Sequence, residues 1–265
     1  MQQGGLWESV CTVAWQLQGP VQRGNQEVIR CTEKKNGTGI QESKMKLSVL
    51  GATGQTGAAL VTQALQNGHE VTALVRNKSK MTIQHENLKV VEANIFSQDS
   101  LAEHFKGQDA VVSCLGFPYK MFSSISGYTD SMTATVGAMR QTGVNRIVTM
   151  TSWYTDTSSA QNASFFVRNL LVPLIKSVLI NMREMENYLE KECSDLNWTV
   201  VRPPGLQNTP VTEKEILTHD GYFVPDEKGY PITNTVSRAD VSRFMLSTLT
   251  DDRWTRKLVA MCCKG

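Results

Sequence analysis

Seven residues restrict what this chain can fold into more than any others. Gly51-Ala52-Thr53-Gly54-Gln55-Thr56-Gly57 follow the apolar run Lys46-Leu47-Ser48-Val49-Leu50 and lead into Ala58-Ala59-Leu60-Val61. The spacing predicts a strand that becomes a helix through a glycine-spaced turn. Glycine tolerates positive φ and lets the backbone approach a ligand closely. A helix starting near Gln55 presents unpaired N–H groups and the positive end of its dipole, so a turn beginning at Gly51 suits a phosphate. The Gly-x-x-Gly-x-x-Gly spacing differs from the usual Gly-x-Gly-x-x-Gly, and the surrounding pattern therefore decides the reading. A dinucleotide site needs a buried strand before the turn, a helix after it and a second strand about 20 residues on. All three are present, the second strand being Glu70-Val71-Thr72-Ala73-Leu74-Val75-Arg76.

The last residue of that strand reaches the adenosine ribose. An acidic side chain there accepts hydrogen bonds from the 2′-hydroxyl of NAD, whereas an arginine pairs with the 2′-phosphate of NADP. Arg76 therefore predicts NADP(H) as the cofactor. Lys78 and Lys80 follow in the next turn and either add charge around the same phosphate or belong, with Arg76, to a solvated basic loop.

From residue 46 onward β-branched runs alternate with helical stretches. Strands are expected at 46–51, 70–76, 88–93, 109–115, 146–151, 197–202 and 257–262, and helices near 55–67, 98–106, 126–142, 164–192 and 238–249. This alternation predicts a single α/β domain over 45–265, a doubly wound parallel sheet of the Rossmann-like kind with helices on both faces. Right-handed crossovers place the carboxyl ends of the strands along one edge, where a ligand crevice forms. At such ends, Asn94-Ile95 fall where an adenine ring rests, Asn94 either bonding the base edge or capping the strand. Leu115-Gly116 close the fourth strand, and Gly116 either lets backbone pass close to ribose and phosphate or is a plain turn glycine.

Other features set limits. Residues 1–44 lack a sustained period and are expected to form an extension outside the fold, without the pattern of a secretory signal. A net charge of +2 with dispersed Lys and Arg argues against nucleic acid as a partner. The six cysteines form no Cys-x-x-Cys pair and have no histidine at ligand spacing, which argues against a metal and for reduced thiols in the cytoplasm. Phe165 to Ile180 is apolar but carries Arg168, Asn169, Pro173 and Lys176, so it reads as a helix beside the cleft, interrupted near Pro173, and not as a membrane span. The segment 205–236 holds His219, Tyr222, Phe223 and Tyr230 near two turn signals, which suggests a hairpin or lid on the acceptor side. Arg238 and Asp240 are expected to tie the last helix to the sheet.

Taken together, the glycine turn, Val75-Arg76, Thr151-Ser152, the stretch Trp198-Thr199-Val200-Val201-Arg202-Pro203-Pro204 and Ser237-Arg238-Ala239-Asp240-Val241 resemble the atypical short-chain dehydrogenase/reductases of the NmrA-like type. Within that group the likeness is greatest to the NADPH-dependent flavin reductases, also called biliverdin-IXβ reductases. It spans roughly residues 46–262. The resemblance implies that Thr53, Gly54, Gln55 and Thr56 hold the phosphates, Arg76 the 2′-phosphate, and Leu115-Gly116 the ribose side. Met150, Thr151 and Ser152 flank the nicotinamide, and Pro203, Pro204, Gly205 and Leu206 complete its pocket. Ser152 becomes the leading catalytic residue, with Tyr154 either a catalytic acid or an aromatic wall.

Two departures from the group's pattern shape the functional expectation. Ordinary short-chain dehydrogenases follow the active-site serine with Tyr-x-x-x-Lys, and the corresponding region here, Gln161-Asn162-Ala163-Ser164-Phe165-Phe166, has no tyrosine. Gly205 stands where the flavin and biliverdin reductases carry a histidine. A conjugated acceptor such as a flavin, a quinone or a biliverdin-like tetrapyrrole needs mainly positioning beside the hydride donor, whereas an alcohol needs a general base. The sequence therefore favours an NADPH-dependent reductase of such small-molecule acceptors. The alternative is an NADP(H)-binding redox sensor that contacts protein partners without turnover.

Overall fold

The β-branched runs pair into one nine-stranded sheet in the computed structural model, which describes residues 29–31, 44–117 and 125–265. Its strands are β1 (Ile29–Cys31), β2 (Lys46–Leu50), β3 (Glu70–Val75), β4 (Leu88–Glu92), β5 (Ala110–Ser113), β6 (Arg146–Met150), β7 (Asn197–Arg202), β9 (Ile216–His219) and β11 (Lys257–Cys263). Their order is β1-β9-β11-β7-β6-β5-β2-β3-β4. The seven strands from β11 to β4 run parallel, as expected of a doubly wound single domain, while β9 joins β11 and β1 joins β9 antiparallel. The sheet order reverses between β2 and β5, so the crevice of a doubly wound fold lies at their carboxyl ends.

Helices cover both faces because the strands are apolar on both sides, as buried parallel strands are. Neighbouring residues in a strand point opposite ways, and the pairs Leu50/Val49, Ile147/Val148 and Val200/Val201 each divide between two cores. Leu60 and Val61 of α1 (Gln55–Gln66) pack on one face with Phe244 and Met245 of the last helix, Arg238–Ser247. Leu101 of α2 (Gln98–Phe105), Met139 of α3 (Gly127–Thr142) and Leu189 of α4 (Lys176–Glu192) pack on the other. The last helix is α5.

The stretch 164–192 is interrupted as Pro173 predicts. A π-helical turn over Val167–Leu171 and one α turn over Val172–Leu174 end at Ile175, and α4 starts anew. Phe165, Leu170 and Leu174 face outward, whereas Met182 on α4 reaches the cleft.

Segment 205–236 departs from a simple hairpin or lid. Gly205–Gln207 (β8) and Thr235–Ser237 (β10) pair in parallel as a separate two-stranded ribbon, and β9 in between enters the main sheet. Strands of three or four residues are too short for alternation to reveal them. The expected extension over 1–44 falls mostly outside the described residues; within it Ile29–Cys31 pair with β9. Among the described residues no helix is long and apolar enough to cross a membrane, and no group of three or more His, Cys, Asp or Glu is placed to hold a metal ion.

Candidate active site

The glycine turn closes on itself. The amide of Gly54 donates to the Gly51 carbonyl at 2.9 Å, and Gly51 has φ +76. A Cβ on Gly51 would lie 2.7 Å from the Cys114 carbonyl oxygen, and one on Gly57 would lie 2.1 Å from the Gly51 oxygen. These two glycines let β2, the turn, α1 and the end of β5 pack at backbone contact. Gly54 is the N-cap of α1 without a side-chain cap, and the first turn carries no acidic residue. Donors and dipole at this terminus thus lack an internal anion, which fits the pyrophosphate of a dinucleotide.

A cavity of about 340 Å³ opens at this point. Gly54, Gln55 and Thr56 contribute one wall, Leu115 and Gly116 another, Met150, Thr151 and Ser152 a third, and Pro203, Pro204 and Leu206 a fourth. Residues expected from four separate strand ends therefore meet around one space. Gly116 has no positive φ and a Cβ there would meet nothing within 4 Å, so neither turn geometry nor protein packing demands glycine at this wall.

Four lining residues were not anticipated as site residues: Cys114, Tyr128 of α3, Met182 of α4 and Arg238 of α5. Burial pushes the Cys114 thiol up to about 12, so it is protonated and inert at neutral pH. Arg238, expected only to anchor its helix, donates to Asn208 Oδ1 at 2.7 Å and also faces the cavity. Asp240 does the anchoring, accepting from the Thr212 amide and hydroxyl at 2.9 and 3.0 Å.

The remaining expected residues lie apart from the cavity. Gly51 and Thr53 belong to the turn but do not line it. Arg76 is exposed at the end of β3 and makes no ion pair among the described residues. Lys78 and Lys80 sit in the following 3-10 turn, where Asn77 Oδ1 accepts from the Ser79 amide and the Lys78 amide donates to Glu92 Oε1. Asn94 Oδ1 accepts from the Phe96 amide at 3.1 Å, which is the strand-cap arrangement, and Ile95 is buried. The Gly205 amide donates to the Asn234 carbonyl at 2.9 Å, joining β8 to the chain before β10. His219 accepts from the Gly221 amide in a turn.

Tyr154 does not line the cavity. With φ +62 it turns its ring back into the core, between Trp153 and Phe223 at centroid distances of 6.1 and 5.8 Å. Its hydroxyl has no hydrogen-bond partner among the described residues, and burial pushes its pKa up. Its surroundings match the aromatic wall, not the catalytic acid.

Behind the serine wall lies a buried charge cluster. Glu186 of α4 is 0% exposed, and its carboxylate accepts from Arg202 Nε and Nη2 at 2.9 and 2.7 Å. It also accepts from the hydroxyls of Thr151 and Thr155 at 2.8 and 2.9 Å. Arg202 Nη1 continues to the Gly221 carbonyl, and the Tyr222 ring lies 4.5 Å from its guanidinium carbon. The Trp153 amide donates to the Pro203 carbonyl at 2.9 Å. Between these anchors the Ser152 hydroxyl, at the cavity wall, makes no hydrogen bond to any described residue.

The chain is 29% identical over 228 residues to an uncharacterised chloroplastic protein of Arabidopsis thaliana, covering 83% of this chain and 77% of that protein. Its fold is similar to the crystal structure of the oxidoreductase ylbE from Lactococcus lactis, with TM-score 0.67 and 18% identity over 83% of this chain and 91% of that one. It is also similar to a putative NADH-flavin reductase from Streptococcus pneumoniae, with TM-score 0.61 and 23% identity over 83% and 100% of the two chains. The model of the NAD(P)H-binding family matches residues 51–252, from the glycine turn to the end of α5 and beyond, and the chain belongs to that family.

Proposed function

We propose that this protein is an NADPH-dependent reductase that passes a hydride to a conjugated or quinonoid small molecule, such as a flavin, a quinone or a biliverdin-like tetrapyrrole. The observation that carries the reading is the uncommitted Ser152 hydroxyl in a cavity whose lining contains no carboxylate, lysine or histidine. Such a site can orient an acceptor carbonyl or the nicotinamide carboxamide, and with no lysine in the lining to draw off its proton the one phenol there, Tyr128, stays protonated and does not act as the base that alcohol oxidation requires. Gly54, Gln55 and Thr56 would hold the pyrophosphate, and Met150, Thr151, Pro203 and Leu206 the nicotinamide end. NADPH, when bound, supplies the hydride. The resemblance of the sequence to NmrA-like flavin reductases points to the same acceptor class, and the buried protonated thiols suit a reducing compartment such as the cytoplasm.

Arg76 supports NADPH over NADH, because its guanidinium makes no ion pair among the described residues and two lysines follow it. Reversing that charge removes one charge-assisted contact of roughly 1.5–3 kcal/mol, on the order of a ten- to hundredfold loss in affinity. Arg76→Glu is expected to weaken NADPH by that factor and to leave NADH nearly unchanged in fluorescence titrations. Equal loss for both cofactors would remove the case for NADP.

The test of turnover is NADPH oxidation followed by absorbance with FMN, riboflavin, dichlorophenolindophenol and menadione as acceptors. The missing Tyr-x-x-x-Lys and Gly205 in place of a histidine favour a second reading in which NADP(H) binding alone signals redox state to a protein partner. Tight NADPH binding with no oxidation by any of the four would establish that reading and end the first.

A further inference from the structure

Reducing a carbonyl or ring nitrogen by hydride leaves an anion that must acquire a proton, and the site described so far names no donor. Among the lining side chains, the Thr151 hydroxyl is spent on Glu186 and the Cys114 thiol is held protonated up to about 12. Tyr154 is shut away in the core. The phenol that does line the cavity is Tyr128, one residue into α3 and 4% exposed.

Its surroundings are those of a proton donor. The phenol oxygen accepts from the Phe117 amide at 3.2 Å, and no described residue accepts its proton. The same amide remains in place to stabilise the phenolate once the proton has left, since a hydrogen bond to the charged form favours that form. The position is fixed from three sides. The Tyr128 amide donates to Asn181 Oδ1 at 2.9 Å, next to Met182. Asn181 Nδ2 holds Thr129 Oγ1 at 2.8 Å. The Phe117 ring packs edge-on against the tyrosine at a centroid distance of 4.9 Å. Burial raises the Tyr128 pKa, so the phenol carries its proton throughout the neutral range.

Building on the reductase reading, we infer that Tyr128 is the proton donor to the reduced acceptor and that Ser152 is its hydrogen-bonding companion across the cavity. The hydride brings two electrons to the acceptor, and the nicotinamide is oxidised. The O–H bond of Tyr128 then breaks as an O–H or N–H bond forms on the acceptor anion. The tyrosinate regains a proton from water admitted when product leaves.

The test uses the full chain with NADP+ bound and menadione as the probe, and reads the infrared carbonyl stretch of the bound quinone. In the wild type a hydrogen-bonded carbonyl band is expected at lower wavenumber. Tyr128→Phe and Ser152→Ala are each expected to move that band toward the free-quinone position, Tyr128→Phe by more. In turnover, Tyr128→Phe lowers kcat with menadione about 100-fold, as loss of a general acid does, with the NADPH Kd unchanged. Replacing Tyr128 by fluorotyrosine keeps the shape and the Phe117 bond with a stronger acid, and moves the band further down; it also serves if the phenylalanine variant fails to fold. A wild-type band at the free-quinone position, or a band and kcat that Tyr128→Phe leaves within twofold, overturns the assignment. Turnover with an unshifted band removes the donor alone; a shifted band without turnover by any acceptor removes the reductase reading and the donor role with it.

Discussion

Glu186→Ala is the sharpest probe of how the site is held. The carboxylate is fully buried, and its removal leaves Arg202, itself 1% exposed, without its ion-pair partner. Removing one partner of a buried pair costs about 3–5 kcal/mol, because the remaining charge stays desolvated. The Tyr222 ring 4.5 Å away stays in place and offsets ~1 kcal/mol of this. The expected net loss is therefore roughly 2–4 kcal/mol. At about 2–4 °C per kcal/mol for a chain of this size, the melting point falls by roughly 4–16 °C. Urea denaturation followed by far-ultraviolet circular dichroism measures the free energy directly. The double variant Glu186→Leu/Arg202→Met is expected to recover most of the loss, since an apolar replacement of similar volume removes the stranded charge. A Glu186→Ala protein within about 1 kcal/mol of wild type, or a double variant worse than the single, would refute the account.

Three further outcomes follow from the same structure. Gly57→Ala pushes a methyl group to 2.1 Å from the Gly51 carbonyl; it is expected to cost about 1–3 kcal/mol in urea titrations and to abolish NADPH binding, while normal binding would show that the turn has slack. Tyr154→Phe deletes a buried hydroxyl that has no partner among the described residues, so stability is expected to hold or rise by up to about 1 kcal/mol and reductase activity to stay at the wild-type level; a large fall in kcat would restore a catalytic role to this residue. The buried thiols of Cys114 and Cys262 titrate at about 12 in the fold against 9.0 for the ordinary thiol. Below the lower value both states hold the proton and neither thiol adds a pH dependence. Between the two values only the folded state keeps it, so stability falls with rising pH by about 1.4 kcal/mol per unit for each thiol. Cys262→Ala is expected to flatten the alkaline fall of the urea midpoint by one thiol's share, and a parallel profile would count against it.

What the sequence reveals here is local, and what it hides is long-range. The glycine turn, the parallel strands and the four strand ends follow from short apolar, β-branched runs and glycine spacing, which are properties of a few neighbouring residues. Tyr128, Met182 and Arg238 reach the cavity from three helices, and which face of a helix turns to a strand end is decided by crossovers and packing. Arg238 lay inside a stretch already singled out, but its position beside a helix start made anchoring the simpler reading. Tyr154 was a candidate because it lies two residues past Ser152, and a single positive φ sends its ring into the core instead. The three-residue ribbon β8–β10 and the short β9 lie below the length at which alternation can be recognised.

The uncapped first turn of α1 also bears on how long the protein lasts. A ligand that binds only the folded chain adds RT ln(1 + [L]/Kd) to its stability, about 2.7 kcal/mol when the ligand stands at a hundred times its Kd. Because α1 leaves its terminal charge to be neutralised from outside, part of the fold's resistance to proteolysis is lent by the dinucleotide. A cell depleted of that nucleotide would hold the same chain in a more easily opened form, and its turnover by proteases would follow the nucleotide supply.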